Sequence, residues 1–333
     1  MTAPFFTVAT ISYQSGRWVG QTIESVLAST FDDFEFLISD DCSPDDSWDV
    51  IQQRRDPRIR AWRNRTNLGE YQNRNKVLQE AKGRFILFVD GDDLLYKDAL
   101  TQYAEVLRAF PRAKGVWAAY AIDFAVLPYE FTAYELTALN YLGFHPVAEV
   151  GFTESVFEVD ALRNLGGFDE RFMVGDRYVK RRFMARNPVV IVHPGRAFWR
   201  QHPDQASKRV TREYRNFVES KEIDEEILAS PDCPLQEAEL ETAKRNLRIF
   251  WAKRLVRNTL RTGKLLEFFR LRKALKIPYS DLHLAFQQAD YRFKAGGTAM
   301  EPLISDFHFP QQGRPLVGSV LPTPTEGGAP AGL

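Results

Sequence analysis

The stretch Gly83 to Leu95, GRFILFVDGDDLL, constrains this chain most. Phe85 to Val89 is an unbroken apolar run that stops abruptly at Asp90-Gly91-Asp92-Asp93. A short apolar run with β-branched and aromatic members reads as a strand buried on both faces. Three carboxylates at the carboxyl end of such a strand are electrostatically expensive unless a cation joins them. In an open α/β sheet that end of a strand is where ligands bind. Two readings follow: a divalent-cation and nucleotide-diphosphate site, or a polar turn leading into a helix, whose first turn favours acids.

The residues before this run supply the rest of a sheet. Phe5 to Ile11 reads as a buried first strand, followed by the polar loop Ser12 to Gly16. Trp18 to Leu27 carries apolar residues at helical spacing. Phe34 to Ser39 is a second strand and ends in Asp40-Asp41-Cys42-Ser43-Pro44. A helix over 45–53 follows, with Ser43 as its cap and Pro44 in its first turn. Ile59 to Trp62 reads as a third strand, and Tyr71 to Ala81 as a helix stopped by Gly83. This alternation predicts an α/β fold built on a doubly wound, mainly parallel sheet. The polar loops after strands one and two can then share one crevice with the acid cluster.

Composition excludes several classes. The chain has 333 residues and a formal net charge of zero, so overall charge gives no argument for a nucleic-acid partner. Cys42 and Cys233 are the only cysteines, which suggests neither a disulfide framework nor a cysteine zinc site. The N-terminus lacks the basic region of a signal peptide. No apolar run approaches the roughly 18 residues of a membrane span. The expectation is a cytoplasmic protein, able to lie peripherally at the inner face of a membrane.

Several motifs in order carry a resemblance: ISYQ (11–14), SVLAST-F (25–31), FLISDDCSPDDS (36–47), NLGEYQNRNKVLQEAKGRF (67–85), FVDGDD (88–93), LGGFDERF (165–172) and GDRYVKRR (175–182). In this order and spacing the chain resembles a family 2 glycosyltransferase of the Rossmann-like GT-A fold, inverting and of the DXD type. The resemblance runs over roughly the first 210 residues. It implies a catalytic domain over 1–210; beyond that the residue pattern itself reads as a C-terminal helical region over 211–295 and a Gly- and Pro-rich tail over 296–333. Three positions depart from the family pattern. Ile11-Ser12-Tyr13-Gln14 stands where Pro-x-Tyr-Asn is usual, Cys42 where Gly is usual, and Gly175-Asp176 where Glu-Asp is common.

The resemblance implies transfer of a sugar from a nucleotide-sugar, a UDP-sugar by preference, to a hydroxyl of a glycan or lipid-linked glycan, as in surface polysaccharide biosynthesis. Mn²⁺ or Mg²⁺ would offset charge developing on the diphosphate. Asp90 falls toward the ribose and Gly91 beside it. Asp92 or Asp93 falls to the metal, a choice the sequence leaves open, with His202 completing the shell. Ile11, Ser12 and Tyr13 line the base pocket, and Asp41 accepts a hydrogen bond from the uracil; its structural alternative is capping the next helix. Arg74 and Arg200 face the diphosphate, with a surface helix arginine as the alternative for Arg74, and Lys208 and Arg209 help close a loop over it. Asp176 is the candidate base. Asp169 competes with it but reads better as a helix cap, and Glu170 as solvated. His145, His193, His283 and His308 have no evident role. The other readings are a non-catalytic nucleotide- or glycan-binding relative and a sugar nucleotidyltransferase. The first would be expected to lose the metal acids or the base. The second would want a Gly-rich basic loop after strand one, of which ISYQSGRW is a poor example.

Residues 116–159 read as strands and loops around aromatics, among them Trp117, Tyr120, Phe124, Tyr129 and Phe144. Lys244 to Lys276 is strongly basic, with Glu267 its one acid, and Gly263 divides it into two helices. Its amphipathic pattern suits helices packed on the catalytic domain or on a second subunit, or a helix lying in a membrane interface.

Overall fold

The computed structural model describes residues 3–119, 125–143, 152–203, 205 and 214–287. Tyr120, Phe124, Phe144, His145, Lys208, Arg209, His308 and the 296–333 tail lie outside the described residues.

The first half runs β1 (Phe6–Ser12), α1 (Gly16–Leu27), β2 (Phe34–Asp40), α2 (Ser47–Gln52), β3 (Ile59–Arg63), α3 (Glu70–Glu80), β4 (Phe85–Phe88), β5 (Leu94–Leu95) and α4 (Ala99–Ala109). Then come β6 (Gly115–Ala118), β7 (Tyr129–Phe131), α5 (Ala133–Tyr141), a 3₁₀ turn (Phe152–Glu154), β8 (Ser155–Glu158), α6 (Val159–Asn164), α7 (Gly175–Arg186), β9 (Val189–Val192) and β10 (Ala197–Phe198). Four helices follow: α8 (Tyr214–Ala229), α9 (Glu237–Thr262), α10 (Leu265–Ala274) and α11 (Tyr279–Gln287).

The eight-stranded sheet has the order β3-β2-β1-β4-β8-β6-β9-β7. Strands β1 to β4 pair in parallel, as do β6 and β9. Strand β8 is antiparallel to both its neighbours, and β7 to β9. The sheet is thus α/β and doubly wound through β4, and mixed beyond it. A separate antiparallel ladder joins β5 and β10.

The apolar run of β4 works as its composition requires. Successive side chains alternate between sheet faces. Phe85 and Leu87 pack with Val19, Ile23 and Leu100 of α1 and α4, while Ile86 and Phe88 pack with Val77, Val179 and Phe183 on the other side. That second core extends into the C-terminal helices, where Trp251 is fully buried beside Leu247 and Leu255. A buried ion cluster lies in the same layer. Asp224 of α8 pairs with Arg177 at 3.3 Å and Arg181 at 3.6 Å, and accepts a hydrogen bond from Tyr141 at 3.1 Å.

Three local expectations need correction. The 116–159 segment contains a helix, α5, opened by a reciprocal Thr132–Glu135 cap. Ser43 does not cap α2, which starts at Ser47; its hydroxyl accepts from the Gln14 N–H instead. Gly83 does not stop α3 by a left-handed turn, since the cap residue Ala81 is already extended. Its glycine has another cause: a Cβ there would lie 2.4 Å from the Thr7 nitrogen and 2.5 Å from the Phe6 carbonyl carbon. Gly263 does end α9 as expected, in the left-handed conformation with φ 69°.

Backbone on both sides of Gly83 is held by hydrogen bonds, so little can give. Gly83→Ala should lower unfolding free energy by about 2–3 kcal/mol, measured by denaturant titration. An unchanged midpoint would show that β1 and the α3–β4 link can part without cost.

Candidate functional site

The sheet order sets the carboxyl ends of β2, β1 and β4 side by side. The Asp41 N–H donates to the Ser12 carbonyl at 2.8 Å, and the Gly91 N–H to the Ile11 carbonyl at 3.2 Å. Three loops therefore form one crevice. Gly91 permits this contact, because a Cβ there would meet the Ser15 hydroxyl at 2.8 Å. Tyr13 stands at the loop tip, 49% exposed. Gln14 and Cys42 flank the crevice at φ +54° and +61°, a region that costs an L-residue roughly 1–2 kcal/mol.

Asp41 is buried and accepts three hydrogen bonds, from Asn64 Nδ2 at 2.8 Å and from the N–H groups of Leu68 at 2.9 Å and Gly69 at 2.8 Å. It folds the turn before α3 onto β2 and does not cap α2. A carboxylate offers about four acceptor positions, so one is left for a further donor.

Arg74 occupies the centre of the site. Only 2% exposed, it is not a surface helix arginine. Its guanidinium lies 5.1 Å from the Phe88 ring and 4.9 Å from Phe152. It donates to Asp90 at 2.7 Å and to Glu70 at 3.0 Å. Its Nη1 is buried with no hydrogen-bond partner among the described residues. Burial raises the Asp90 carboxyl above the usual range; Arg74 opposes this, while the charges of Asp92 and Asp176 add to it. Glu70 is raised in the same way, by lost hydration first, then Asp90 and Asp176 against Arg74.

The remaining two acids of the motif point differently. Asp92 is partly exposed and sits 2.8 Å from His202 Nε2. Asp93 is 2% exposed, and both its oxygens are held, by the Thr153 hydroxyl at 2.6 Å and the Arg200 N–H at 3.0 Å. Asp93 thus anchors the Thr153 side chain and the Arg200 backbone beside Asp92. Burial and the neighbouring Asp90 push its carboxyl up to about 7, against the Thr153 hydrogen bond. Arg200 donates to the Asp92 carbonyl at 2.8 Å and to Gln21 at 2.8 Å, and stacks 4.3 Å from the Trp18 ring.

Asp176 lies in the first turn of α7, half-buried. It is near enough for its charge to raise Glu70, Tyr71 and Asp90. Tyr71 packs against this helix start. Its hydroxyl donates to the Met173 carbonyl at 2.9 Å, and a Cβ on Gly175 would strike its ring at 2.8 Å. Asp169 is not a helix cap, since Val174 takes that place; it pairs with Arg171 at 2.7 Å. Glu170 is exposed and accepts from Gln72 at 2.6 Å. The tandem glycines before it adopt φ +84° and +71°, and Gly167 packs on Asn75, whose amide pairs twice with the Phe168 backbone. Among the described residues no three His, Cys, Asp or Glu side chains form a preassembled metal cage. His193 and His283 lie apart from these residues in the chain, near β9 and on α11.

Residues 7–165 match the family model described as Glycosyl transferase family 2. That segment, just under half of the chain, is similar to glycosyl transferase family 2. The chain is 37% identical over 106 residues to a putative teichuronic acid biosynthesis glycosyltransferase, TuaG, of Bacillus subtilis, an alignment covering 31% of this chain and 42% of that protein. It is 40% identical over 82 residues to WfaP of Escherichia coli, a UDP-Glc:alpha-D-GlcNAc-diphosphoundecaprenol beta-1,3-glucosyltransferase, covering 25% of this chain and 33% of that one. The chain thus spans less than half the length of these relatives. The fold is that of S. aureus TarS 1-349, crystallised with UDP-GlcNAc: TM-score 0.63 over 85% of this chain and 87% of that chain, at 18% identity. A mannosyltransferase from Pyrobaculum calidifontis, in complex with GDP-Man and Mn2+, has a TM-score of 0.55 over 87% of this chain and 85% of that chain, at 15% identity. The Gly usual in family 2 after the strand-two aspartates is replaced here by Cys42, in a conformation that suits glycine.

Trp18, Glu70, Tyr71 and Thr153 escaped the sequence reading. Glu70 and Tyr71 lie inside a quoted motif, but their chemistry appears only once α3 packs on α7.

Two outcomes follow from this geometry. Cys42→Gly should raise stability by roughly 0.5–1 kcal/mol; a drop in the thermal midpoint would contradict the conformational reading. Arg74→Ala should lower stability at neutral pH by about 2 kcal/mol, a buried-pair value discounted because the Asp90 side chain is 34% exposed. Both acids it faces are raised, so acidification neutralises them and the deficit should shrink as pH falls from neutrality. A deficit that grew on acidification would refute the pairing.

Proposed function

We propose that this protein is an inverting glycosyltransferase that moves a sugar from a nucleotide-sugar, a UDP-sugar in our reading, to a hydroxyl of a glycan or lipid-linked glycan acceptor of a surface polysaccharide. The observation that carries it is the adjacency of the β2, β1 and β4 carboxyl ends, which bear Asp41, Asp90 and Asp92, with Arg74 of α3 paired to Asp90. In this reading Ile11, Ser12 and Tyr13 border the base, and the free acceptor position of Asp41 takes the uracil N–H. Asp90 takes the ribose hydroxyls.

The charge balance supports a cation. Asp90 and Glu70 share one guanidinium, and Asp92 and Asp176 add their charge to Asp90, an environment a diphosphate would not enter unaided. Asp92 and His202 provide a carboxylate and an imidazole side by side, a donor set that fits Mn²⁺ better than Mg²⁺. The ion would supply charge neutralisation for the departing diphosphate. Arg74 keeps an unpartnered buried nitrogen and Arg200 borders Asp92, so both suit phosphate oxygens. Asp176, on the start of α7, takes the proton of the acceptor hydroxyl as that oxygen attacks the anomeric carbon from the face opposite the diphosphate. One displacement of this kind inverts the centre and needs no covalent enzyme intermediate. The exposed rings of Phe198 and Trp199 beside Arg200 offer flat apolar faces for a bound glycan.

The test is a screen of UDP-, GDP- and dTDP-sugars with Mn²⁺, followed by two variants. Asp176→Asn should retain UDP-sugar binding by calorimetry and lose about 10²–10⁴-fold in transfer rate. Asp92→Ala should lose the Mn²⁺-dependent part of UDP binding. Transfer by Asp176→Asn at the wild-type rate, or UDP binding indifferent to Mn²⁺ in the wild type, would overturn the assignments.

A further inference from the structure

Helix α10 has apolar side chains on two faces. One face turns inward: Leu271 and Leu275 are buried, and Phe268 packs partly buried against the same core. The other carries Leu265, Leu266 and Phe269, which are 63%, 80% and 49% exposed. At 3.6 residues per turn these three share one arc with Arg270 and Lys273, on the side away from Leu271 and Leu275. Leu260, in the last turn of α9 just across the Gly263 corner, is 80% exposed. Single exposed leucines are ordinary. Four large apolar side chains within ten residues of one corner mark an interaction surface.

The surrounding charge identifies what fits it. From Lys244 to Lys276 there are twelve Lys and Arg and one acid, in a chain whose formal net charge is zero. Arg257, Arg261 and Lys264 flank the exposed leucines on the α9 side, and Arg270 and Lys273 interleave with them on α10. An apolar centre with a basic surround matches an anionic lipid surface: side chains enter the acyl boundary while the cations stay among the headgroups. A second copy fits poorly. A two-fold contact would set Arg261, Lys264, Arg270 and Lys273 against their own equivalents. No described helix is long and apolar enough to cross a membrane, so the contact is made on the surface.

We propose that the α9–α10 corner, through Leu260, Leu265, Leu266 and Phe269 with their basic neighbours, docks the protein on an anionic membrane surface. The inference does not rest on the catalytic reading, because none of these residues belongs to the crevice. It does bring the protein to where a lipid-linked acceptor would be.

Flotation of the full chain with phosphatidylcholine vesicles, with and without phosphatidylglycerol, tests it. The protein should float with the anionic vesicles, and partitioning should fall at least about tenfold in high salt or without the anionic lipid. Leu265→Ser/Leu266→Ser/Phe269→Ser should lose about tenfold or more of the binding. Its unfolding midpoint and UDP binding should stay at wild-type values, because the side chains are exposed. Arg261→Glu/Lys264→Glu gives an independent arm, which should weaken binding only where the lipid is anionic. Absence of flotation with anionic vesicles, or wild-type flotation by both variants, would overturn the proposal. So would a concentration-dependent dimer, seen by sedimentation, that the triple variant dissolves.

Discussion

A guanidinium buried among phenylalanine rings is the constraint on which the site depends. Arg74 cannot be deprotonated, so its burial demands carboxylate partners close by. Its surroundings come from four distant segments: α3 itself, Phe88 on β4, Phe152 on the 3₁₀ turn and Phe168 after the tandem glycines. Each must arrive for the charge to be enclosed. The enclosed cation in turn makes the cluster tolerable, because it opposes the burial and the neighbouring acids that raise Asp90 and Glu70. Packing and charge are therefore not separate contributions here. Loss of one ring opens the cation to water and weakens its hold on Asp90.

The legible part of the fold is the part with simple burial. Strands β1, β2 and β4 lie between two helical layers, so they read as apolar runs, and the expected limits fall within one or two residues of those observed. Helix α5 was missed for a physical reason. Leu136 to Tyr141 are all buried, so the helix shows no polar face and no amphipathic period to read. The site divides in the same way. The family resemblance brings Asp90, Asp92, Asp176 and His202 forward as candidates, but the sequence carries no information on which way adjacent carboxylates turn. Asp93 turns inward because Thr153 and the Arg200 N–H, far along the chain, meet it there. Asp41 is committed to the 64–69 turn by the N–H groups of Leu68 and Gly69.

The wall that carries Arg200 and His202 is built with the same chemistry as the floor. Glu154, a buried acid, accepts from the N–H groups of Gly195 at 2.7 Å and Arg196 at 2.6 Å, where Gly195 sits at φ +116°. Asp93 accepts from the Arg200 N–H a few residues on. The strand pair β5–β10 locks the stretch between them. His202 thus reaches Asp92 because two buried carboxylates hold the backbone leading to it, not through any preference of its own. Those carboxylates are costly to bury, and Asp93 is pushed well above its ordinary range for that reason. A cation beside Asp92 would favour the ionised form of Asp93 as well, and with it the stronger acceptor for the Arg200 N–H. Neutralising the floor and ordering the wall are then coupled through a single side chain, one that need not touch the ligand.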